Sequence, residues 1–192
     1  MSARYRSGSA KAIAPQVDSA FSSSRQNDGR PLAEAVMQPW MIIAAVTFLV
    51  ALGGFAIRPR DVKWGAKLDR PRWLVFEPAI PLIWTVVFTC GAISANQVWS
   101  HDPGSTKTWL LMATYLLLEI ITTAYIPATL RTRSLAVGTI LGAIGFLMGI
   151  GLAIAVWPTA HSATWLLIPY LLWSPIGTLT TRQMIDLNPE AV

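Results

Sequence analysis

Cysteine is nearly absent: the 192 residues contain one, Cys90, inside an apolar run. A single thiol excludes an internal disulfide and any multi-cysteine metal site, and in that setting it reads as a small buried apolar residue. Charge is scarce as well. Asp, Glu, Lys and Arg make up 13% of the chain, against about 25% in a soluble domain. No Ser-His-Asp set, phosphate-cradling glycine loop or paired-carboxylate site is evident. Enzymatic activity is therefore left open, with the balance against it.

What fills the chain is apolar. Hydrophobic residues make up 53%, a membrane composition, and one domain is the default at this length. The net charge of +5 does not call for nucleic acid. Its basic residues gather in the N-terminal tail and the first loop, beside apolar runs, where they set topology and meet anionic lipid. Residues 1–37 are rich in Ser, Arg and Ala and read as a disordered tail. The Arg and Ser content has the look of a transit peptide, but Asp18, Asp28 and Glu34 weigh against one.

Residues 38–192 read as an all-α, integral membrane bundle of five transmembrane helices. The spans fall at about 40–57, 78–99, 109–130, 135–157 and 164–183. In lipid only helices or closed barrels satisfy the backbone, and these runs are too long for barrel strands. The first loop carries six Lys or Arg, the third two and the C-terminal end one. The second carries one and the fourth none. This bias places the first loop and the C-terminus on the cytoplasmic side or its equivalent. In the fourth span Gly138, Gly142, Gly145, Gly149 and Gly151 make a smooth packing face. That face and the third span offer surfaces for a homodimer.

The unusual stretch runs from Trp64 to Trp84 and reads WGAKLDRPRWLVFEPAIPLIW. Indole rings favour the water–lipid boundary, and proline stiffens the path. The expectation is a semi-rigid lid, residues 58–76, over a pocket between membrane helices. Trp64, Leu68, Pro71 and Trp73 also match the W-x-x-x-L-x-x-P-x-W loop of the TspO/MBR family, the translocator or tryptophan-rich sensory proteins. Trp84 and Phe88 fall where that family begins its second helix, and Leu52-Gly53-Gly54-Phe55 resembles the end of its first. Ile168-Pro169-Tyr170-Leu171-Leu172-Trp173 resembles its L-P-Y-L-x-W segment, with Asn188 at its closing Asn.

The chain departs from that family at three places. Val75 and Phe76 stand where it usually has two prolines. The third span lacks its N-x-x-W, with Thr122 and Tyr125 at that spacing. Leu179-Thr180-Thr181-Arg182 has no Tyr, so the animal members' cholesterol motif is not supported.

The resemblance implies a five-helix bundle that binds tetrapyrroles (porphyrin, haem) or similar flat apolar molecules beneath the first loop. Its role would be transport, scavenging or stress regulation. The residues suit that chemistry, since a planar macrocycle needs aromatic faces, apolar walls and a few cations for its carboxylates. The candidate ligand-binding set is Trp64, Leu68, Pro71, Trp73, Trp84, Phe88, Tyr125, Tyr170, Trp173 and Glu119. Lys67, Arg70 and Arg72 would meet carboxylates at the rim. The plainer reading of each aromatic is interface anchoring or helix packing, and for Trp40, Trp99, Trp109, Trp157 and Trp165 it is the better one.

Glu119 stands out because an ionisable group at mid-membrane costs about 2.5–3.5 kcal/mol on insertion scales. It is either a polar contact or proton site, or an acid bonded to Thr or Ser of a neighbouring helix. His101 and His161 share one side, yet two loop histidines are more often solvated than ligands to haem. No cofactor is required; porphyrin or haem enters as ligand. Small-molecule, lipid and homodimer contacts are the expected partners, and nucleic acid is not. The rival readings are a structural or assembly membrane protein with a collapsed pocket, and a porphyrin-degrading enzyme.

Overall fold

The computed structural model describes residues 37–55 and 57–192. The expected tail over residues 1–37, Met37 apart, lies outside them. The described residues form helices and turns, with no strand among them. Helix α1 is Pro39–Gly53, α2 is the short Pro59–Gly65, α3 is Ile80–His101 and α4 is Thr106–Thr132. Helix α5 is Leu135–Val156, α6 is the short His161–Trp165 and α7 is Ile168–Leu187.

Local chemistry sets these ends. Pro39 and Pro59 open α1 and α2, where a missing N–H costs little. Ser105 caps α4 by accepting from the Thr108 amide at 3.1 Å, and Ser134 caps α5 by accepting from Val137 at 3.3 Å. Arg133 closes α4 in the left-handed region at φ 54°.

The segment from Glu77 to His101, α4 and α5 are each long and apolar enough to cross a membrane. Helix α1 is apolar but has 15 residues, or about 22 Å at 1.5 Å per residue. Helix α7 has 20 residues, but its apolar run stops at the polar Thr180-Thr181-Arg182-Gln183 turn.

Three outlines differ from the sequence expectation. The first span, expected over about 40–57, ends as a helix at Gly53, where the paired glycines Gly53-Gly54 close it. Residues 58–76 are not all loop, because α2 forms within them. The run expected as one span over 164–183 is divided. Helix α6 ends at Trp165, and α7 starts afresh at Ile168 and continues to Leu187. Pro169 has no N–H with which to continue α6, and it sits in the first turn of α7.

Helix α5 packs along α7 and α4, and α1 packs on α3 and α4. The core holds Val98, Leu152, Val156 and Ala163, each at most 1% exposed. Four of the five glycines on the face expected to offer a dimer surface pack inside this chain, and Gly151 stays open. A Cβ on Gly149 would lie 2.6 Å from Cε1 of Tyr170, and one on Gly145 would lie 2.7 Å from its hydroxyl. Gly138 receives Thr129, and Gly142 receives Thr178 and Tyr125. Bare backbone is what lets the α4 and α7 side chains reach α5.

This contrast is testable. Gly149→Ala forces Tyr170 to move and should cost about 1–3 kcal/mol as overpacking. Gly151→Ala meets nothing within 4 Å and should be neutral or slightly stabilising. Thermal unfolding of both variants in mild detergent checks it.

Candidate functional site

The stretch from Pro59 to Ala79 turns back over the helix ends, and polar contacts hold it there. The Asn188 carboxamide accepts from the Asp69 amide at 2.8 Å and donates to the Asp69 carbonyl at 3.0 Å. Its second N–H donates to the Met184 carbonyl at 2.8 Å, and the residue is 3% exposed. The Trp73 indole N–H donates to Gln183 Oε1 at 2.7 Å. Arg70 pairs with Glu77 at 2.9 Å across the fold of the loop. Pro71 is buried between these attachments.

Beneath the loop lies a cavity of about 340 Å³. Leu68, Arg70, Leu74 and Phe76 form its roof. Ile80 and Trp84 of α3, Tyr125 and Leu130 of α4, and Trp173 and Met184 of α7 are among its walls. Three aromatic rings therefore come from three helices, and Phe76 adds a fourth from above. The Phe76 ring meets Trp173 edge-on at 5.8 Å between centroids, and Trp73 lies 6.0 Å from Phe76 on its other side. The Tyr125 hydroxyl is fixed by the Gly177 carbonyl at 3.1 Å and Thr181 Oγ1 at 3.3 Å.

Of the ten candidate residues, Leu68, Trp84, Tyr125 and Trp173 line this cavity. The other six stand elsewhere. Trp64 packs with Leu135, Met184 and Ala191, under the C-terminus. Pro71 and Trp73 belong to the loop's fastening rather than to the cavity wall. Phe88 and Glu119 border a separate void of about 30 Å³ deeper between α3 and α4. Tyr170 borders that void and a second of similar size, which adjoins the cavity at Trp84, Tyr125 and Trp173.

Glu119 accepts from Thr47 Oγ1 of α1 at 2.7 Å. This is the hydroxyl-bonded arrangement, and it ties two helices together. Of the expected rim cations, Arg70 is already paired with Glu77, while Lys67 and Arg72 are exposed. His101 and His161 are exposed too, and His161 lies edge-on to Trp157 at 4.5 Å. The described residues hold no group of three or more His, Cys, Asp or Glu that suits a metal.

Sequence reasoning missed three contributors: Asn188 and Gln183 as fasteners and Phe76 as a lining ring. Asn188 did carry a signal, standing past the last apolar residues and just before Pro189.

Over residues 40–186 the chain matches the sequence model of the TspO/MBR family. It is 26% identical over 148 residues to the tryptophan-rich protein TspO of Bacillus cereus, covering 74% of this chain and 95% of that one. It is 23% identical over 150 residues to the uncharacterized membrane protein YtaB of Bacillus subtilis, covering 77% and 95%. It is 24% identical over 151 residues to the translocator protein of Bos taurus, covering 76% and 89%.

Removing the carboxamide tests the fastening. Asn188→Ala leaves both backbone groups of Asp69 unpaired and should cost about 1–3 kcal/mol. Asn188→Asp keeps an acceptor for the Asp69 amide but loses both donors, so it should fall between. Amide exchange across residues 66–76 should quicken in the order wild type, Asp, Ala; equal protection in all three would show that the loop is held otherwise.

Proposed function

This chain belongs to the TspO/MBR family of helical membrane proteins, and on that footing we propose that it is a membrane receptor or carrier for tetrapyrroles, such as porphyrin or haem, or similar flat apolar ligands. The ligand lies beneath the loop of residues 58–76. Helices α1 and α7 complete five crossings with α3, α4 and α5. The loop and the C-terminus share one side, since Asn188 bonds Asp69. The six Lys or Arg of the first loop support the reading that this side is the cytoplasm or its equivalent.

One observation carries the reading. The roofed cavity of about 340 Å³ is walled by Trp84, Tyr125, Trp173 and Phe76, within the 300–1,000 Å³ or so of ligand sites. Indole and phenyl faces at its walls suit a flat π-system, which stacks on them. The carboxylates of such a ligand have Arg70 at the rim. Its pairing with Glu77 is over 40% exposed on both sides. An exposed pair contributes only about 0–1 kcal/mol, so an incoming carboxylate displaces Glu77 at little cost. An assembly role with a collapsed interior draws no support from a cavity of this size.

Titration of the purified protein with protoporphyrin IX should quench tryptophan fluorescence saturably. Trp173→Ala should weaken binding about tenfold, the loss of about 1.4 kcal/mol of stacking. Trp40→Phe, at an exposed helix start, should leave the affinity unchanged. Equal affinity for wild type and Trp173→Ala would remove the cavity from consideration.

A further inference from the structure

The cavity walls are not alike. On the α4 and α5 side, α7 is cross-linked by polar contacts: Tyr125 of α4 to Gly177 and Thr181, Thr122 of α4 to Tyr170, and Thr139 of α5 to Thr181. On the α3 side, none of the side-chain hydrogen bonds or ion pairs among the described residues joins α3 to α7. There the two helices instead flank a second space, an apolar cleft of about 370 Å³. Leu82, Val86 and Leu172 line it, and they are 68%, 48% and 66% exposed on the outer face of the bundle. In a membrane bundle that face meets hydrocarbon.

Trp173 and Ile176 line both the cleft and the inner cavity. They are shared wall between the lipid side and the ligand side. The backbone behind that wall lacks one helical hydrogen bond. Pro175 lies inside the helix and leaves the Leu171 carbonyl without its helical donor. The roof, by contrast, is fastened to the C-terminal end of α7 by Asn188 and by Gln183.

We propose that the cavity is reached sideways from the bilayer, through the α3–α7 seam, with the Trp173 indole as its movable leaf and the outer cleft as a vestibule for apolar molecules dissolved in lipid. A ligand taking this path never leaves an apolar medium, whereas the roof path requires it to cross water. The leaf is steadied by Phe76, which Trp73 backs in turn, so the loop biases the seam without itself opening. This route rests on the ligand reading of the cavity given above.

The test follows protoporphyrin IX carried in lipid vesicles and entering the reconstituted full-length protein, by stopped-flow tryptophan quenching. Val86→Trp and Leu172→Trp fill the vestibule from its outer side, and neither position lines the inner cavity. Each should slow association and dissociation together by about tenfold, leaving the affinity unchanged, as obstruction of a passage does. Wild-type rates in both variants would overturn the route and leave the roof as the way in. A second measurement uses no ligand. Lipids brominated along their acyl chains should quench part of the wild-type fluorescence, and Trp173→Phe should remove a share of that quenching. An unchanged quenchable fraction would show the seam closed to hydrocarbon and sink the proposal. Absence of saturable protoporphyrin quenching in the wild type would instead count against the ligand reading, with the brominated-lipid result still deciding whether the seam opens.

Discussion

The two hydrogen bonds between the Asn188 carboxamide and the Asp69 backbone fix everything at the loop end of the bundle. A loop crossing over apolar helix ends must find partners for its own N–H and C=O groups, because neither lipid nor side-chain hydrocarbon supplies them. Asn is suited to this, since one amide presents an acceptor and two donors in a single plane. It answers both Asp69 groups and still caps the Met184 carbonyl of its own helix. With Asp69 held, Trp64 and Leu68 before it fall against Leu135 and Met184. Pro71 is then buried, and the Trp73 N–H comes within 2.7 Å of Gln183. Trp73 in turn sets Phe76 over Trp173. The roof of the cavity is thus a consequence of one side chain at the far end of the chain.

Deeper in the bundle the same requirement is met by hydroxyls. Ser94 is fully buried and has one proton, which it gives to the Ala163 carbonyl at 2.7 Å. Its 2.6 Å contact with Tyr115 must therefore be donated by the tyrosine. One serine so joins α3, α4 and the α6 turn without an unpaired proton. Thr47 does the corresponding work for the carboxyl of Glu119, between α1 and α4. Threonines of α4, α5 and α7 return their protons to carbonyls one turn back, which hides a polar atom against its own helix. Glycines on α5 complete the scheme by letting Tyr170 and Thr178 approach near enough to be used.

Much of this was legible in the residues. Apolar run length gave the helices, and the Trp-Pro spacing gave a loop folded over a space. What misled was treating the loop tryptophans Trp64 and Trp73 as ligand-facing and passing over Phe76. Trp64 and Trp73 are spaced like Trp84 in composition, but their surroundings differ through contacts more than a hundred residues away. Trp73 meets Gln183 and Trp64 meets Met184, and no local pattern encodes either pairing. The glycine face was read as a packing surface, and at Gly138, Gly142, Gly145 and Gly149 the side chains packed on it come from this chain's own helices. Periodicity reports that a face is smooth, not whose side chains occupy it. Glu119 presented two readings because sequence shows the cost of a carboxyl in the membrane and not the hydroxyl that meets it. The break at Leu166-Leu167 was hidden by continuous hydropathy, although Pro169 marked the place.

The distribution of stiffness follows from these same choices. Polar cross-links and bare glycine backbone gather where α7 meets α4 and α5, so that seam is both close and directional. Dispersion alone holds α7 to α3, and dispersion is not directional; side chains can slide there without leaving a polar group unpaired. Pro175 stands between Trp173 and Ile176, the α7 residues that face that looser side, and removes one helical bond from the backbone behind them. A cavity between one rigid wall and one yielding wall deforms in a single direction. That direction passes through Trp173, the residue that also carries the largest aromatic face in the cavity wall formed by α7. Under the proposed function and route, holding a ligand and admitting it become two states of one indole, which would tie affinity and exchange rate to the same side chain.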